Sequence, residues 1–590
     1  MHKIDWIRIR NFRSCSDVRL NLEAYSPLVG YNNAGKSNIL KAIQWFLRPT
    51  GLQDKDFNDS EEKVIISAKI SGISNDLLNS LDGNHKSSIE PFISNESFFV
   101  RMEQSEPGGA KGLRKLYVSA GNEVQDEDSW DWRVNPNGLQ EALHDLFPEP
   151  IFVQSMDNAT DDVSKFKTTS TIGKLLQLLS AQIENEQHEL VEALETISKK
   201  LNFNGSERLE ALNQFDNFAN NRVQDFFPGV TLKIHIPTPS LSKLFTDGTI
   251  KVQEPGREMA DVDSLGHGAQ RSIQMALIRL LAEVRTATDS GQTTLLLIDE
   301  PELYLHPQAI ELVREALKSL SNSNYQIVFS THSSLMVEQE DVPYTNIIRK
   351  STGENTVACE RISEAIEAVI NGNINQARIL FEIYNMNQIL FADRVLIAEG
   401  ATEQSVLPEL FKSLDRQFST HKTALVIADG CSGIHKMGRI LDRIGVPYKA
   451  LVDLDYAFTT ARSANLLADD DETLSAAISL LSASASALQN NFELEGGVLP
   501  KKTGGIKACV AYELFADEDS AQEVISTLHD KLKEKGYWLW TKGAIEKHLS
   551  LQAKTTNDWV SFKLSLKAHG AEQVLDDHET VNNMAIWATT

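Results

Sequence analysis

Residues 30–37 read Gly-Tyr-Asn-Asn-Ala-Gly-Lys-Ser and fit the pattern G-x-x-x-x-G-K-[ST]. A short strand pattern over Leu20–Val29 precedes this stretch, and a helical pattern follows it until Pro49–Gly51. In such a loop, backbone N–H groups close around phosphate oxygens, and the phosphates lie at the start of the helix. The stretch therefore predicts a nucleotide site in an α/β domain, with a tight surface loop as the alternative. The residues expected to hold the nucleotide are Gly30, Asn32, Asn33, Gly35, Lys36, Ser37 and Asn38.

Two acidic residues end a very apolar stretch, Leu295–Ile298, later in the chain. An acid at the tip of a buried strand can hold Mg²⁺, and its neighbour can orient the attacking water. We expect Asp299 to fill the first role, together with the hydroxyl of Ser37, and Glu300 to fill the second. His332 follows another apolar strand pattern and is expected to reach the γ-phosphate of bound ATP.

A glycine-spaced turn opens the helix that precedes the acidic strand. It contains Ser264, Gly266 and Gly268, and its exposed N–H groups predict a second contact to an anion. The order of these motifs resembles the ABC-type ATPase heads of the SMC and RecF group. That resemblance implies that this turn meets the γ-phosphate of ATP held by a second subunit, and that Gln154 is the Q-loop glutamine. Leu265 and His267 interrupt the usual turn sequence of that group.

Four acids form a second constellation nearer the end of the chain. Glu399 follows the apolar strand pattern Val395–Ala398, Glu403 lies one helical turn further on, and Asp453 and Asp455 follow a third strand pattern. Parallel strands bring their C-terminal ends together, so these acids are expected to converge. Clustered carboxylates suit Mg²⁺ or Mn²⁺, and two such ions about 4 Å apart can activate water against a phosphodiester. Separate solvated acids are the alternative.

The spacing Glu-Gly-x-x-Glu followed by Asp-x-Asp resembles the Toprim domain. An ABC-type head joined to a C-terminal Toprim domain resembles the OLD (overcoming lysogenization defect) family of nucleases, over nearly the whole chain. The resemblance implies defence against phage. It also implies that Lys542 neutralises the phosphate or protonates the leaving group, and that Glu546 helps hold a metal ion. It also implies a DNA substrate, a homodimer or larger homo-oligomer, and a helicase or retron component as an optional partner.

Composition sets limits on these expectations. The chain has 590 residues and a formal charge of −25, which argues against a passive basic coat for nucleic acid. It has no apolar run of about 18 residues, so no membrane span is expected. Four widely spaced cysteines without zinc spacing predict reduced thiols in a cytoplasmic protein.

The fold class that follows is α/β: an ABC-type ATPase head with a helical insertion, followed by a smaller Toprim-like α/β domain. The expected ATPase domain covers 1–350, with an insertion at about 160–230 that is a candidate for dimerisation. A helical linker is expected at 351–390, the Toprim domain at 391–550 and a C-terminal tail at 551–590. The predicted function is an ATP-binding, metal-dependent nuclease whose cutting is gated by nucleotide. The alternative is an ABC-head DNA clamp or sensor with an inert Toprim domain, and a topoisomerase or primase fits less well.

Overall fold

The chain divides into two compact units. The computed structural model describes residues 1–121, 127–134, 136–154, 188–238, 250–253, 255–287, 293–351, 353–370, 386–428, 430–468, 470–487, 502–503, 506–551 and 553–590. The first unit comprises Met1–Pro27 and Gly35–Met336, and the second comprises Leu28–Ala34 and Val337–Thr590. The first unit therefore ends before position 350, where the sequence placed the boundary of the ATPase domain.

The first unit contains a sheet region of antiparallel strands and a region of parallel strands. The strands that start in this unit are β1 (Lys3–Phe12), β2 (Cys15–Asn21), β3 (Tyr25–Val29), β4 (Val64–Ser71), β5 (Phe98–Gln104), β6 (Arg114–Ser119), β7 (Arg133–Val134), β8 (Ile151–Val153), β9 (Lys251–Val252), β10 (Ala260–Asp261), β11 (Thr294–Asp299) and β12 (Tyr325–Thr331). Its helices are α1 (Lys36–Leu47), α2 (Asn75–Ser80), α3 (Gly83–Ile89), α4 (Leu139–Leu146), α5 (His188–Leu201), α6 (Glu210–Val223), α7 (His267–Ala287) and α8 (Pro307–Ser321).

The parallel region places the nucleotide motifs. β11 lies between β8 and β12, and all three run parallel. Every residue of β11 and β12 is buried, which is typical of a strand covered on both faces. The register pairs Asp299 with Ser330, so the C-terminal ends of the two strands carry their polar residues side by side.

The predicted helical insertion is described only from residue 188. There it contains α5 and α6, and the part of the call that covers residues 160–187 lies outside the described residues. Large apolar side chains are exposed along this segment, with Phe218 at 74% and Phe226 at 78%. An apolar surface of this kind marks a place where another surface can bind.

The second unit is built around a parallel sheet of four strands. They are β15 (Arg394–Ala398), β16 (Thr423–Ile427), β17 (Tyr448–Val452) and β20 (Tyr537–Leu539), in the spatial order β16-β15-β17-β20. Shorter strands in this unit are β13 (Asn346–Lys350), β14 (Thr356–Ala358), β18 (Lys502–Thr503) and β19 (Ile506–Lys507). Because β15, β16 and β17 are parallel, their C-terminal ends meet at one edge.

Helices pack on both sides of this sheet. They are α9 (Ile362–Ile370), α10 (Met386–Ile389), α11 (Ala401–Ser413), α12 (Cys431–Arg443), α13 (Asp455–Phe458), α14 (Thr460–Ser463), α15 (Glu472–Ala487), α16 (Ala508–Ala516), α17 (Asp519–Glu534), α18 (Ile545–His548), α19 (Thr556–His569), α20 (Ala571–Val574) and α21 (His578–Thr589). The predicted linker at 351–390 contains β14 as well as two helices, and its residues 371–385 lie outside the described residues.

The segment predicted as a C-terminal tail is part of the core of the second unit. Phe562, Leu566 and Met584 lie in one buried cluster with Trp538 and Trp540. The apolar residues of these helices do not follow a regular helical spacing, so the sequence pattern did not reveal this packing.

Candidate functional site

The loop at residues 30–37 adopts backbone conformations that its glycines permit. Gly35 precedes α1 with φ 105°, and Asn33 also has a positive φ of 64°. Gly30 has φ 156°, and a Cβ there would lie 2.1 Å from the carbonyl oxygen of Ile348. Any residue other than glycine at position 30 would therefore displace the backbone of the loop.

Lys36 lies in a buried position with polar neighbours. Its Nζ is 2.8 Å from Nε2 of His332, and the same Nε2 is 3.4 Å from Oε1 of Glu300. Burial lowers the pKa of Lys36 to about 8, against the raising effect of Glu300, Asp299 and Glu302. Phosphate oxygens next to Lys36 would raise its pKa again, because a nearby negative charge favours an ammonium group.

Asp299 and Ser37 face each other at the start of α1. The hydroxyl of Ser37 donates to Oδ1 of Asp299 at 3.0 Å, and the hydroxyl of Ser330 donates to the same oxygen. The fully buried Arg271 donates to the backbone oxygens of Asp299 at 3.1 Å and of Glu300 at 2.8 Å. These bonds hold the turn in which Glu300 takes a left-handed φ of 50°.

The other residues predicted to contact the nucleotide are exposed or have different side-chain partners from those of Lys36, Ser37 and Asp299. Asn32 and Asn33 are exposed, and Nδ2 of Asn38 donates to the hydroxyl of Ser14 at 2.8 Å. Gln154 is exposed at the end of β8, and its backbone oxygen accepts from Arg271 at 3.4 Å.

The glycine-spaced turn lies just before α7 and at its start. Ser264 and Gly266 are exposed, and the hydroxyl of Ser264 donates to the carbonyl oxygen of Asp261 at 2.6 Å. A Cβ at Gly268 would lie 2.9 Å from the carbonyl oxygen of Tyr304, so the close approach of these two segments favours glycine. An exposed turn of this kind remains available to a ligand.

Sequence reasoning did not single out Glu302 or Arg271. Glu302 accepts the backbone N–H of His332 at 2.7 Å and the hydroxyl of Thr331 at 2.8 Å. It therefore fixes the turn that carries His332. Glu302 lies three residues after Asp299, beyond the apolar strand pattern. Its role depends on contacts with Thr331 and His332, which that pattern does not reveal.

The four acids predicted to converge form one electrostatic cluster in the second unit. Glu399 follows β15, Glu403 lies in the first turn of α11, and Asp453 and Asp455 follow β17. Burial is the first cause that raises the pKa of each, to about 7 for Glu399, and repulsion by Asp455 and Glu403 adds to it there. The pKa of Glu403, of Asp453 and of Asp455 is raised as well.

Glu546 joins this cluster through two side chains that the sequence did not single out. Its Oε1 accepts the hydroxyl of the buried Thr402 at 2.6 Å and lies 3.1 Å from Nζ of Lys554. The charge of Lys554 also acts on Glu399, Glu403, Asp453 and Asp455, lowering the pKa that each would otherwise have. The sequence contained no motif around Lys554 from which this position could have been inferred.

Lys542 lies in a different set of contacts from Lys554. Its Nζ is 2.8 Å from Oδ2 of Asp577, and the same oxygen is 2.7 Å from Nδ1 of His548. The backbone N–H of Lys542 donates to Nε2 of His548 at 3.1 Å. The ammonium group predicted as a proton donor is thus paired with an acid from the segment that was predicted to be a tail.

The cluster also contains a thiol. Sγ of Cys431, at the start of α12, lies 3.5 Å from both carboxylate oxygens of Glu399 and 3.8 Å from Oδ1 of Asp455. The burial and the surrounding acids raise the pKa of this thiol well above its usual range.

The donor set of this cluster suits divalent cations. Among the described residues, Oδ1 of Asp453 and Oε2 of Glu546 are shielded from solvent without a hydrogen-bond partner. A buried carboxylate oxygen without a partner is costly, and a cation would remove that cost. Oxygen donors from five acids match what Mg²⁺ and Mn²⁺ require.

The structure has no membrane-spanning candidate: among the helices of the described ranges, none combines the length and apolar character needed to cross a bilayer. The four cysteines are free thiols.

Comparison with known proteins agrees with this division of the chain. An AAA ATPase domain family matches residues 2–107 and 132–337. The TOPRIM domain of overcoming lysogenization defect protein-like proteins matches residues 390–455, which include four of the clustered acids. The match ends before Glu546 and Lys554, whose placement in the cluster comes from the structure.

The chain is similar along nearly its whole length to a known nuclease. The Old nuclease of Escherichia phage P2 is 36% identical over 573 residues, which cover 94% of each chain. The OLD nuclease of Thermus scotoductus is 26% identical over 33% of this chain and 36% of its own length. The Endonuclease GajA of Bacillus cereus strain VD045 is 21% identical over 77% of this chain and 75% of its own length. By sequence and by domain composition, the chain therefore belongs to the OLD family of nucleases and joins an AAA ATPase domain to a TOPRIM domain.

Proposed function

We propose that this chain hydrolyses phosphodiester bonds of DNA with divalent cations, Mg²⁺ or Mn²⁺, bound by Glu399, Glu403, Asp453, Asp455 and Glu546. The observation that carries the proposal is the gathering of five acids, from three distant parts of the chain, into one cluster. Within it, burial raises the pKa of Glu399, Glu403, Asp453 and Asp455. A cluster built only for stability would not concentrate repelling charges in this way.

The bound cations would supply an activated water and neutralise charge on the scissile phosphate. The protein's own contribution is to position the acids: Thr402 fixes Glu546, and the backbone N–H of Gly400 fixes Glu403 at 3.2 Å. Lys542 is proposed to donate a proton to the leaving oxygen, and its Nζ lies 2.8 Å from Oδ2 of Asp577, which holds the side chain in place. Lys554 supplies a second positive charge next to the acids.

The first unit is proposed to bind ATP with Mg²⁺ held by Ser37 and Asp299. Lys36 would contact the β- and γ-phosphates, Glu300 would orient water, and His332 would donate to the γ-phosphate. The exposed turn with Ser264, Gly266 and Gly268, and the exposed Gln154, would complete this site in a homodimer or larger homo-oligomer.

Nucleotide gating of cleavage is part of the proposal. Within the second unit, Tyr31 of the nucleotide loop lies against two cations: the guanidinium of Arg349 is 4.6 Å from its ring centroid and Nζ of Lys422 is 5.4 Å away. Lys422 immediately precedes β16 of the TOPRIM sheet. A change in the loop on binding ATP would therefore reach a strand next to the one that carries Glu399.

The wider role that we propose is defence of a bacterial cell against phage, in the cytoplasm, either alone or with a helicase or retron component. It is supported by the resemblance to the OLD family, to which the chain belongs by its 36% identity to the Old nuclease of phage P2. This role depends on the nuclease activity and is tested only after it.

The test is cleavage of supercoiled plasmid by the full-length chain with Mg²⁺ or Mn²⁺, with and without ATP, and with an RNA substrate in parallel. We expect Glu403→Gln to lower the cleavage rate by about a hundredfold or more, since a proposed ligand of the catalytic cations is lost. Glu409→Gln is the matched control, because Glu409 lies on the same helix and faces Lys567 at 3.7 Å. Equal cleavage by the wild type and Glu403→Gln would leave the inert-domain alternative as the better account.

A further inference from the structure

The thiol of Cys431 lies among carboxylates that belong to two other elements. Cys431 begins α12, Glu399 follows β15 and Asp455 begins α13. One potential ligand atom from each of these residues lies within 4.8 Å of the other two. The three side chains therefore surround a common space, although they are distant in sequence.

The spacing of these atoms fits ligands of a single cation. In a tetrahedral site with Zn–S of about 2.3 Å and Zn–O of about 2.0 Å, the sulfur and an oxygen lie roughly 3.5 Å apart. The observed Sγ–Oε distances to Glu399 are 3.5 Å, and the Sγ–Oδ1 distance to Asp455 is 3.8 Å. The three distances from Sγ therefore lie within about 0.3 Å of the value for a tetrahedral site.

A simple thiol hydrogen bond does not account for this arrangement. A thiol has one proton, whereas three carboxylate oxygens lie within 3.8 Å of Sγ. Asp453, whose charge also acts on Cys431, has an Oδ1 without a hydrogen-bond partner in the part of the chain that the structure describes. An unpartnered carboxylate oxygen close to a thiol and two further acids favours a bound cation.

We propose that Cys431, Glu399 and Asp455 form a mixed thiolate–carboxylate site that prefers a thiophilic divalent cation of the Zn²⁺ class over Mg²⁺. Thiolate ligands select borderline-soft cations, whereas Mg²⁺ is held by oxygen. Cys431 loses its thiol proton to solvent when the cation binds, as a ligating cysteine must. The inference rests on the proposed function because Glu399 and Asp455 belong to both sites, and it means that Zn²⁺ competes with Mg²⁺ for the cluster.

The test uses Co²⁺ as a spectroscopic probe on the full-length chain, purified with reductant and stripped of metal. Thiolate ligation gives a sulfur-to-cobalt charge-transfer band in the near ultraviolet, which carboxylates alone do not give. We expect this band in the wild type, with an intensity that corresponds to one thiolate-bound Co²⁺ per chain. The band should be lost in Cys431→Ser and in Cys431→Ala, and retained in Cys509→Ser, whose thiol is exposed. Displacement of Co²⁺ by Zn²⁺ then reports Zn²⁺ affinity, which we expect to fall at least about tenfold in Cys431→Ser.

Two results would overturn the inference: Co²⁺ bound without a charge-transfer band in the wild type, or the same band in both Cys431 variants. Loss of the band with unchanged far-ultraviolet circular dichroism supports it. Plasmid cleavage measured on the same samples separates this outcome from that of the proposed function. Cleavage with Mg²⁺ but no band refutes the thiol site alone, whereas a band without any cleavage supports the thiol site and refutes the nuclease.

Discussion

Glu399 carries a carboxyl group whose pKa is raised to about 7 by burial and by the charges of Asp455 and Glu403. A carboxyl group with a folded pKa above its unfolded value stabilises the fold below the unfolded pKa, and this contribution is lost as the pH rises through the folded pKa. In the absence of cations, ionisation of this group therefore lowers the free energy of unfolding of the second unit at and above neutral pH. A bound divalent cation reverses the effect, because it favours the ionised acids.

The raised pKa of Glu399 predicts that the Tm depends on pH, and that divalent cations change this dependence. In the presence of a chelator, we expect the Tm of the wild type to fall as the pH rises from 5 to 8. Added Mg²⁺ or Mn²⁺ is expected to raise Tm more at pH 8 than at pH 5. Differential scanning fluorimetry over this pH range measures both effects.

The control for that profile is Glu399→Gln, which has no carboxyl group to titrate at this position. Its Tm with chelator should depend less on pH between 5 and 8, and Mg²⁺ should raise it less. A wild-type Tm that rises over the same range with chelator present would contradict the raised pKa.

At the scale of elements, α19 shows why the last part of the chain is not a tail. Leu566 is 2% exposed and packs in the cluster with Trp538 and Trp540, whereas Leu564 on the same helix is 61% exposed. α21 is tied to the sheet by Arg394, whose Nη1 donates to the carbonyl oxygen of Thr589 at 2.6 Å. The helices of this segment therefore close one face of the TOPRIM sheet.

The two leucines of α19 provide a matched pair of substitutions. We expect Leu566→Ala to lower the free energy of unfolding by about 2–5 kcal/mol, since it opens a cavity in a packed core. Leu564→Ala should change it by no more than about 0.5 kcal/mol, because its side chain already contacts solvent. Chemical denaturation followed by tryptophan fluorescence measures both, and equal effects would show that α19 does not pack as described.

At the scale of the whole molecule, the nucleotide loop is divided between the two units. Residues 28–34 belong to the second unit and residue 35 onward belongs to the first. Within the second unit, the ring of Tyr31 contacts Arg349 and Lys422. We propose that nucleotide binding alters the TOPRIM domain through this loop.

This division predicts that Lys422 affects gating without being required for cleavage. A cation–π contact is worth about 0.5–1 kcal/mol at an exposed site, which corresponds to a two- to fivefold change in an equilibrium. If ATP changes this contact, Lys422→Gln should reduce the ratio of cleavage rates with and without ATP by about that factor. Plasmid cleavage with and without ATP measures the ratio.

Lys412→Gln is the matched control, since Lys412 is an exposed lysine at the end of α11. It should leave the ratio unchanged, as should Lys422→Gln if the cation–π contact is the same in both nucleotide states. That last result would remove Lys422 from the gating proposal, and cleavage rates independent of ATP in the wild type would remove gating itself.

The sequence determined the features that depend on local order along the chain. Neighbouring residues are enough to identify a glycine-rich loop between a strand and a helix. The same is true of the apolar runs that end in Asp299, Glu399 and Asp453, and of the spacing that adds Glu403 and Asp455. The resemblance to a known family predicted that these features belong to an ATPase domain and a TOPRIM domain, and the two matching family models confirm both domains.

Only the tertiary structure decided which side chains share a space. It brought Cys431, Thr402 and Lys554 to the acids, paired Lys542 with Asp577 and packed the last helices into the core. Cys431 is 32 positions from Glu399 and Thr402 is 144 positions from Glu546, and no motif spacing links these neighbours. Their proximity follows from the order of parallel strands and from helix packing, which a single chain's periodicity does not specify.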